Sequence, residues 1–86
     1  MSKQAKKTKL SSLGYTGSVQ DQYLKWLLGR GATSHVLADA ERQFLIVKGF
    51  TTGSNHDRWN RYLRSLTYTG SRDDMENKYW QGANSN

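Results

Sequence analysis

The sequence contains no cysteine and only two histidines. Without thiols the chain forms neither a disulfide nor a thiolate zinc site, and two histidines are too few for a His-rich metal site. No apolar run approaches the ~20 residues that a membrane helix needs, and the N-terminus lacks the apolar centre of a signal peptide. We therefore expect a soluble, unexported protein without metal, cofactor or membrane partner, whose 86 residues form one small domain.

Acidic residues are absent from the first twelve positions, which carry Lys3, Lys6, Lys7 and Lys9. Without these four lysines the formal net charge falls from +6 to +2. The basic excess is therefore concentrated near the N-terminus. This composition predicts an extended basic arm over residues 1–12, with affinity for phosphate, acidic lipid or an acidic protein groove.

The rest of the chain is repetitive. Four aspartates are separated by 18, 18 and 17 residues: Asp21, Asp39, Asp57 and Asp74. Five residues after each lies an aromatic ring, followed by a large apolar residue, in the pairs Trp26–Leu27, Phe44–Leu45, Tyr62–Leu63 and Tyr79–Trp80. When the four segments are aligned on these aspartates, one column upstream of them holds Gly14, Gly31, Gly49 and Thr67. These columns indicate a fourfold repeat over residues 13–81, followed by a tail at 82–86.

Each repeat has the signals of one short helix and one turn. Ser18, Ser54 and Ser71 stand three residues before an aspartate, the spacing of a helix N-terminal cap. The glycines suit helix ends, because a left-handed residue after the last turn is easiest for glycine. The second repeat has Val36 in place of the cap serine, so Ser34 is expected to start that helix earlier. Thr67 replaces glycine in the fourth repeat, where we expect a turn of different geometry.

These signals predict helices at about 19–29, 35–47, 55–65 and 72–81. Helices of about ten residues are marginal alone in water and must share a core. The predicted fold is therefore all-α, a small bundle of four short helices with an extended basic N-terminal arm. Helical spacing gathers the aromatic residues on one face of each helix, which indicates core packing. The alternative is that Trp59 or Trp80 faces a partner.

The segment Ser54–Asp57 contains a serine, a histidine and an acid, a combination that resembles a hydrolase triad. Four successive residues at a helix start point around the helix axis and do not align as nucleophile, base and orienting acid. No pair of carboxylates stands out as an acid–base couple, and no glycine-rich loop carries the lysine of a phosphate-binding loop. We therefore predict a protein that is not an enzyme and has no catalytic residues.

Three arginines recur every three residues along the third predicted helix: Arg58, Arg61 and Arg64. A basic helix together with a lysine-rich arm is typical of nucleic-acid binding. A charged stripe is more often a solvated or protein-docking face. Asp57 and the net charge of only +2 outside the arm also weaken the positive electrostatic potential that would attract a nucleic acid. Both interpretations stay open at this point.

The turn sequences LGYTGSVQD, GFTTGSNHD and LTYTGSRDDM resemble short repeats of the form L-G-[YA]-T-G-S-x-x-D-[ML] that recur in structural proteins of tailed bacteriophages. The resemblance covers residues 13–81, with GATSHVLAD matching only in part. It implies a non-enzymatic virion component, present in many copies in a symmetric assembly, and it carries over no catalytic residue. Head decoration, neck and tail all remain open as its place in the particle.

We therefore predict an accessory virion protein, located in the host cytoplasm during assembly, that docks on capsid, neck or tail subunits. The alternative is a small DNA- or RNA-binding protein that uses the three arginines and the lysine arm. The predicted partner-binding residues are Lys3, Lys6, Lys7, Lys9, Tyr15, Phe50, Arg58, Arg61, Arg64, Tyr68 and Trp80.

Overall fold

The regular secondary structure of residues 2–82, the part of the chain that the computed structural model describes, is entirely helical. Side chains are described from Gln4 onward. The helices are α1 (Ser2–Ser12), α2 (Val19–Leu28), α3 (Leu37–Val47), α4 (Asn55–Ser65) and α5 (Arg72–Gln81). The all-α prediction is confirmed, with one helix more than predicted in the described residues. Of the predicted tail, residues 83–86 lie outside the described residues.

Three of the helices begin where their serine caps predict. The hydroxyls of Ser18, Ser54 and Ser71 accept hydrogen bonds from backbone amides three residues later, at 3.1, 3.2 and 3.2 Å. Helix α3 begins at Leu37, two residues later than predicted, and has no side-chain cap. The Ser34 hydroxyl instead accepts from the Val36 amide at 3.1 Å, which closes a turn ahead of the helix.

The predicted helix ends adopt the left-handed conformation, with φ of +94° at Gly14, +106° at Gly31 and +99° at Gly49. Thr67 has φ +73°, so the fourth turn keeps this conformation and the prediction of a different geometry was wrong. The amide after each of these residues donates to a leucine carbonyl five residues back, in the pairs Tyr15–Leu10, Ala32–Leu27, Phe50–Leu45 and Tyr68–Leu63. The four turns therefore share one C-terminal capping motif.

Replacing Thr67 with glycine is expected to raise the free energy of unfolding by about 0.5–1 kcal/mol, because a β-branched residue is strained at positive φ and glycine is not. The matched control is Gly49→Ala. A Cβ at Gly49 meets no atom within 4 Å, so alanine adds strain without a clash and is expected to destabilise. Urea denaturation of both variants measures the two effects. A neutral or destabilising Thr67→Gly would contradict the assigned turn.

Helix α1 occupies the segment predicted to be an extended arm, and that prediction was wrong for residues 2–12. Leu10 is fully buried and stands 17 residues before Leu27. It also precedes Gly14 by four residues, as Leu27 precedes Gly31 and Leu45 precedes Gly49. Helix α1 is thus a fifth, divergent copy of the repeat, with Lys9 at the position that is aromatic in the other four copies.

The helices form a closed ring in which each helix contacts its two neighbours in sequence and α1 also contacts α5. Corresponding positions of neighbouring helices lie side by side, in the same order along each helix. Between α3 and α4 the contacts are Ala38–Asn55, Glu41–Trp59 and Phe44–Tyr62; between α2 and α3 they are Tyr23–Glu41 and Trp26–Phe44. These three neighbouring helices therefore run in the same direction, and the contacts His56–Arg72 and Tyr62–Tyr79 extend this order to α5. The connection 13–18 has the same length and the same left-handed positions as the connection 66–71, which gives α1 the same direction relative to α2. The C-terminal ends of the helices thus gather at one end of the ring.

The connecting segments are long enough for this parallel arrangement. Helix α3 has 11 residues and is therefore about 16 Å long. The shortest connections, 13–18 and 66–71, have six residues and span up to roughly 20–22 Å when extended. Each connection can thus return along the helix to the end where the next helix starts.

The centre of the ring is filled by the aromatic and leucine columns of the repeat. Fully or almost fully buried residues come from all five helices: Leu10, Trp26, Leu27, Phe44, Leu45, Trp59, Leu63, Met75, Tyr79 and Trp80. Ring centroids lie 4.9 Å apart for Trp26 and Trp80, and 5.1 Å apart for Trp26 and Phe44. Edge-to-face and tilted packing of this kind adds to the free energy of burial.

Candidate docking surface

Polar side chains near the middle of the helices hold the returning connections. Gln43 Oε1 accepts from the amides of Thr33 and Ser34, at 2.8 and 3.0 Å. At the corresponding positions of α2 and α4, Lys25 and Arg61 donate to threonine carbonyls in the connections before those helices. Because these side chains bind the chain's own backbone, they are part of the scaffold.

The three predicted recognition arginines are placed differently from one another. Arg58 is 9% exposed, and its Nε donates to the Gly53 carbonyl at 2.8 Å. Arg61 is exposed but hydrogen-bonds Thr52. Arg64 lies exposed in the last turn of α4. The arginines therefore do not form one continuous stripe on the surface, because two of them hold the connection before α4.

Of the four aromatic side chains predicted to contact a partner, one lies in the core and three pack against it. Trp80 is 2% exposed, so the expectation that it contacts a partner was wrong for this structure. Tyr15, Phe50 and Tyr68 are half-buried and pack against the core. The Phe50 ring meets Tyr62 at 5.8 Å between centroids, since the residue after each left-handed turn folds back over the neighbouring helix.

The predicted lysines lie on α1. The side chain of Lys3 lies outside the described residues, Lys7 is exposed, and Lys9 is half-buried. The Lys6 ammonium stands 3.4 Å from the centroid of the Tyr23 ring and 5.7 Å from that of Trp80. Lys6 therefore attaches helix α1 to α2 and α5 through cation–π contacts. Only part of the predicted lysine cluster faces solvent.

Charge is divided between the two ends of the ring. From the sixth residue of each helix through its following turn the sequence has nine bases and no acid: Lys7, Lys9, Lys25, Arg30, Arg42, Lys48, Arg61, Arg64 and Lys78. The first halves of the helices and the remaining connections hold four bases and all seven acids, so the net charge of +6 divides into +9 and −3. We call the +9 half, where the helices end, the basic end.

Exposed aliphatic side chains also concentrate at the basic end. Ile46 and Val47, in the last turn of α3, are 43% and 64% exposed, and Leu13 after α1 is 39% exposed. Val36, at the opposite end, is 60% exposed. A basic surface with aliphatic residues in it is a surface that can bind an anionic partner and also bury apolar area.

A polar network lies inside the ring. The Glu41 carboxylate accepts from the Tyr23 hydroxyl at 2.6 Å and from Trp59 Nε1 at 2.9 Å, and the hydroxyls of Tyr62 and Tyr79 are 3.2 Å apart. Burial, followed by the Glu41 carboxylate, raises the pKa of Tyr23 well above its ordinary value of 10.0. Burial and the hydrogen bond with Tyr62 likewise raise the pKa of Tyr79.

The raised pKa values of Tyr23 and Tyr79 predict alkaline destabilisation. The folded protein retains phenolic protons that the unfolded chain releases near pH 10, so this stability is complete below about pH 10 and lost as the pH rises. We expect the free energy of unfolding to fall by up to about 1.4 kcal/mol per pH unit for each tyrosine above pH 10. Denaturant titrations from pH 8 to 11.5 measure the slope, which Tyr23→Phe should reduce. A flat profile in both proteins would contradict the prediction.

The described surface also has two open grooves. One of about 520 Å³, between α1 and α5, is lined mainly by amide and hydroxyl side chains; the other, of about 470 Å³, lies beside the start of α2. Neither groove is lined by a carboxylate or a histidine. Among residues 2–82, no three acidic, histidine or cysteine side chains cluster as metal ligands, and no helix has the length and apolar character to cross a bilayer.

Sequence reasoning missed the basic end and the Glu41 network. The signal for the basic end lies in the repeat itself, because every acid stands at least three residues before the aromatic column of its unit, while nine of the thirteen bases lie within two residues before that column, in it or after it. Ile46 and Val47 also stand where the third repeat has Arg64 and Ser65. Glu41 shares a column with Tyr23 and Trp59, so its phase on the helix indicates that it faces inward.

Comparison with known proteins adds no relative to this description: no protein-family model, curated protein or solved structure matches the chain.

Proposed function

We propose that this chain is a non-enzymatic accessory protein of a bacteriophage virion that docks on other virion subunits, in many symmetric copies, as a head decoration, neck or tail component. The observation that carries the docking role is the basic end, which combines exposed aliphatic residues with nine bases and no acid. The resemblance of the turn sequences to repeats of phage structural proteins supports the virion context.

The scaffold itself accounts for most of the residues that suggested other chemistry. Ser54 caps α4, Asp57 provides the amide that this cap binds, and His56 Nδ1 lies 2.6 Å from Arg72 Nη1. The residues of the triad-like segment therefore have structural partners at a helix start. This supports a role in binding over a role in catalysis.

Mass spectrometry of purified particles, with copy-number quantification, tests the proposal. The expected result is a fixed number of copies per particle that matches the symmetry of the capsid, neck or tail. Absence of the chain from particles would refute the proposal.

Nucleic-acid binding is the second candidate, supported by the excess of bases at the basic end. Its original form, a recognition helix with three arginines, is weakened because Arg58 and Arg61 bind the chain's own backbone. A duplex-binding protein would lose affinity steeply with salt, since each neutralised phosphate releases counterions. Tight, salt-sensitive binding of the purified chain to a DNA duplex, abolished by Arg64→Ala, would favour this candidate.

A further inference from the structure

Ile46 and Val47 are exposed at a place where the repeat does not require aliphatic residues. The corresponding positions are Arg64 and Ser65 in α4, and that helix ends with the same capping motif. Val47 lies against the preceding turn, with its Cγ2 3.8 Å from the position of a Cβ on Gly31. Since the fold forms with polar residues at these positions, the scaffold does not explain the aliphatic pair.

Bases flank this pair on both sides and are held in place by aromatic rings. The Arg30 guanidinium lies 4.8 Å from the centroid of the Trp26 ring, and the Lys48 ammonium 5.5 Å from that of Phe44. Arg42, one helical turn before Ile46, is exposed on the same helix face, with its guanidinium 3.3 Å from the Asp39 carboxylate. The surface thus consists of an aliphatic centre with positioned positive charges around it.

Complementarity to this surface requires a partner that is both anionic and apolar. The phosphate backbone of a nucleic acid offers charge but no apolar depression for Ile46 and Val47. Aromatic rings that could stack on bases are half-buried against the core, as Tyr15, Phe50 and Tyr68 are. Apolar anchors that lose water inside a charged rim are the usual arrangement of protein–protein interfaces.

We propose that the basic end binds an acidic protein surface, a virion subunit with carboxylates around an apolar depression that receives Ile46 and Val47. This inference rests on the proposed function and specifies the surface and the partner's chemistry. The N-terminal end of the ring, with Val36, faces away from the partner.

The test uses the full chain in phage particles, with the paired variant Ile46→Gln/Val47→Gln and the matched control Val36→Gln, which alters an exposed valine at the opposite end. We expect the paired variant to lower the copy number per particle at least about tenfold, since central apolar anchors dominate interface energy. The control should retain the full copy number. Thermal melting verifies that each variant folds, and Val47→Gln alone replaces the pair if the pair does not fold.

A photo-cross-linking residue at position 47, compared with one at position 36, identifies the partner. Cross-links from position 47 to an acidic segment of one virion protein support the proposal. Cross-links to DNA, equal cross-linking from both positions, or incorporation that is insensitive to the paired variant would overturn it while leaving the virion role intact. Binding of the purified chain to phosphatidylglycerol vesicles that is lost in the paired variant would also overturn it. Absence of the chain from particles would overturn both the proposed function and this inference.

Discussion

Replacing Trp26 with alanine is expected to lower the free energy of unfolding by about 3–5 kcal/mol, the usual cost of truncating a large buried aromatic residue. Trp26 is fully buried, and its ring meets those of Trp80, Phe44 and Tyr23 at centroid distances of 4.9, 5.1 and 6.0 Å. The Arg30 guanidinium also lies over this ring. One substitution therefore removes a contact within α2 and contacts to two other helices, α3 and α5, at once.

The effect is large relative to the total stability. At about 0.05–0.15 kcal/mol per residue, an 86-residue domain has roughly 4–13 kcal/mol in all. Urea denaturation followed by circular dichroism measures the loss. Trp26→Phe is the control, since it keeps an aromatic ring in the cluster and should cost clearly less. A Trp26→Ala variant within about 1 kcal/mol of the parent protein would contradict the assigned core.

The closed ring explains how so short a repeat forms a stable unit. In an open repeat array, each unit contacts only its neighbours and the terminal units need polar caps. Here α1 contacts α5, so the terminal helices cover each other. The aromatic columns of α2 to α5 then meet in one cluster instead of a linear row.

The sequence predicted the four helices α2 to α5 well, because their start and stop signals are local. A serine three residues before an aspartate fixes the start of α2, α4 and α5, and glycine at positive φ follows the end of α2 and α3. The start of α3 was misplaced because Ser34 can bond either a helix amide or a nearer turn amide, and sequence spacing alone does not choose between them.

The fifth helix was missed because its sequence is nearly all polar. Lys9 occupies the aromatic position and no acid follows the start, so the strongest columns of the repeat are absent. Leu10 and Gly14 retain the spacing of the other units, which is a weak signal next to four lysines. Helix α1 is stabilised by tertiary contacts, with Leu10 in the core and Lys6 over Tyr23.

The functional surface could not be predicted from the arginine spacing for a similar reason. Regular spacing places Arg58, Arg61 and Arg64 along the same helix, but it does not show that the connection before α4 folds back over this face. Once it does, two guanidinium groups bind backbone carbonyls. The gathering of helix ends depends on the parallel order of the ring, a tertiary property that the periodicity of one chain does not reveal.

Replacing Leu10 with alanine is expected to lower the free energy of unfolding by about 2–5 kcal/mol, because a fully buried leucine leaves a cavity. An extended arm outside the domain would give no such loss, so this variant tests whether α1 belongs to the ring. Leu13→Ala is the matched control: Leu13 is 39% exposed, and its replacement should cost clearly less.

The Leu10→Ala variant also tests whether α1 closes the ring of helices. Helix α1 covers the Trp80 side chain and places the Lys6 ammonium over the Tyr23 ring. Loosening α1 should therefore expose the Trp80 indole to water. We therefore expect a red shift of tryptophan fluorescence in Leu10→Ala at denaturant concentrations where Leu13→Ala is still native. Equal stability of the two variants would show that α1 does not close the ring in solution, and the domain would then be an open array of four helices with one uncovered aromatic edge.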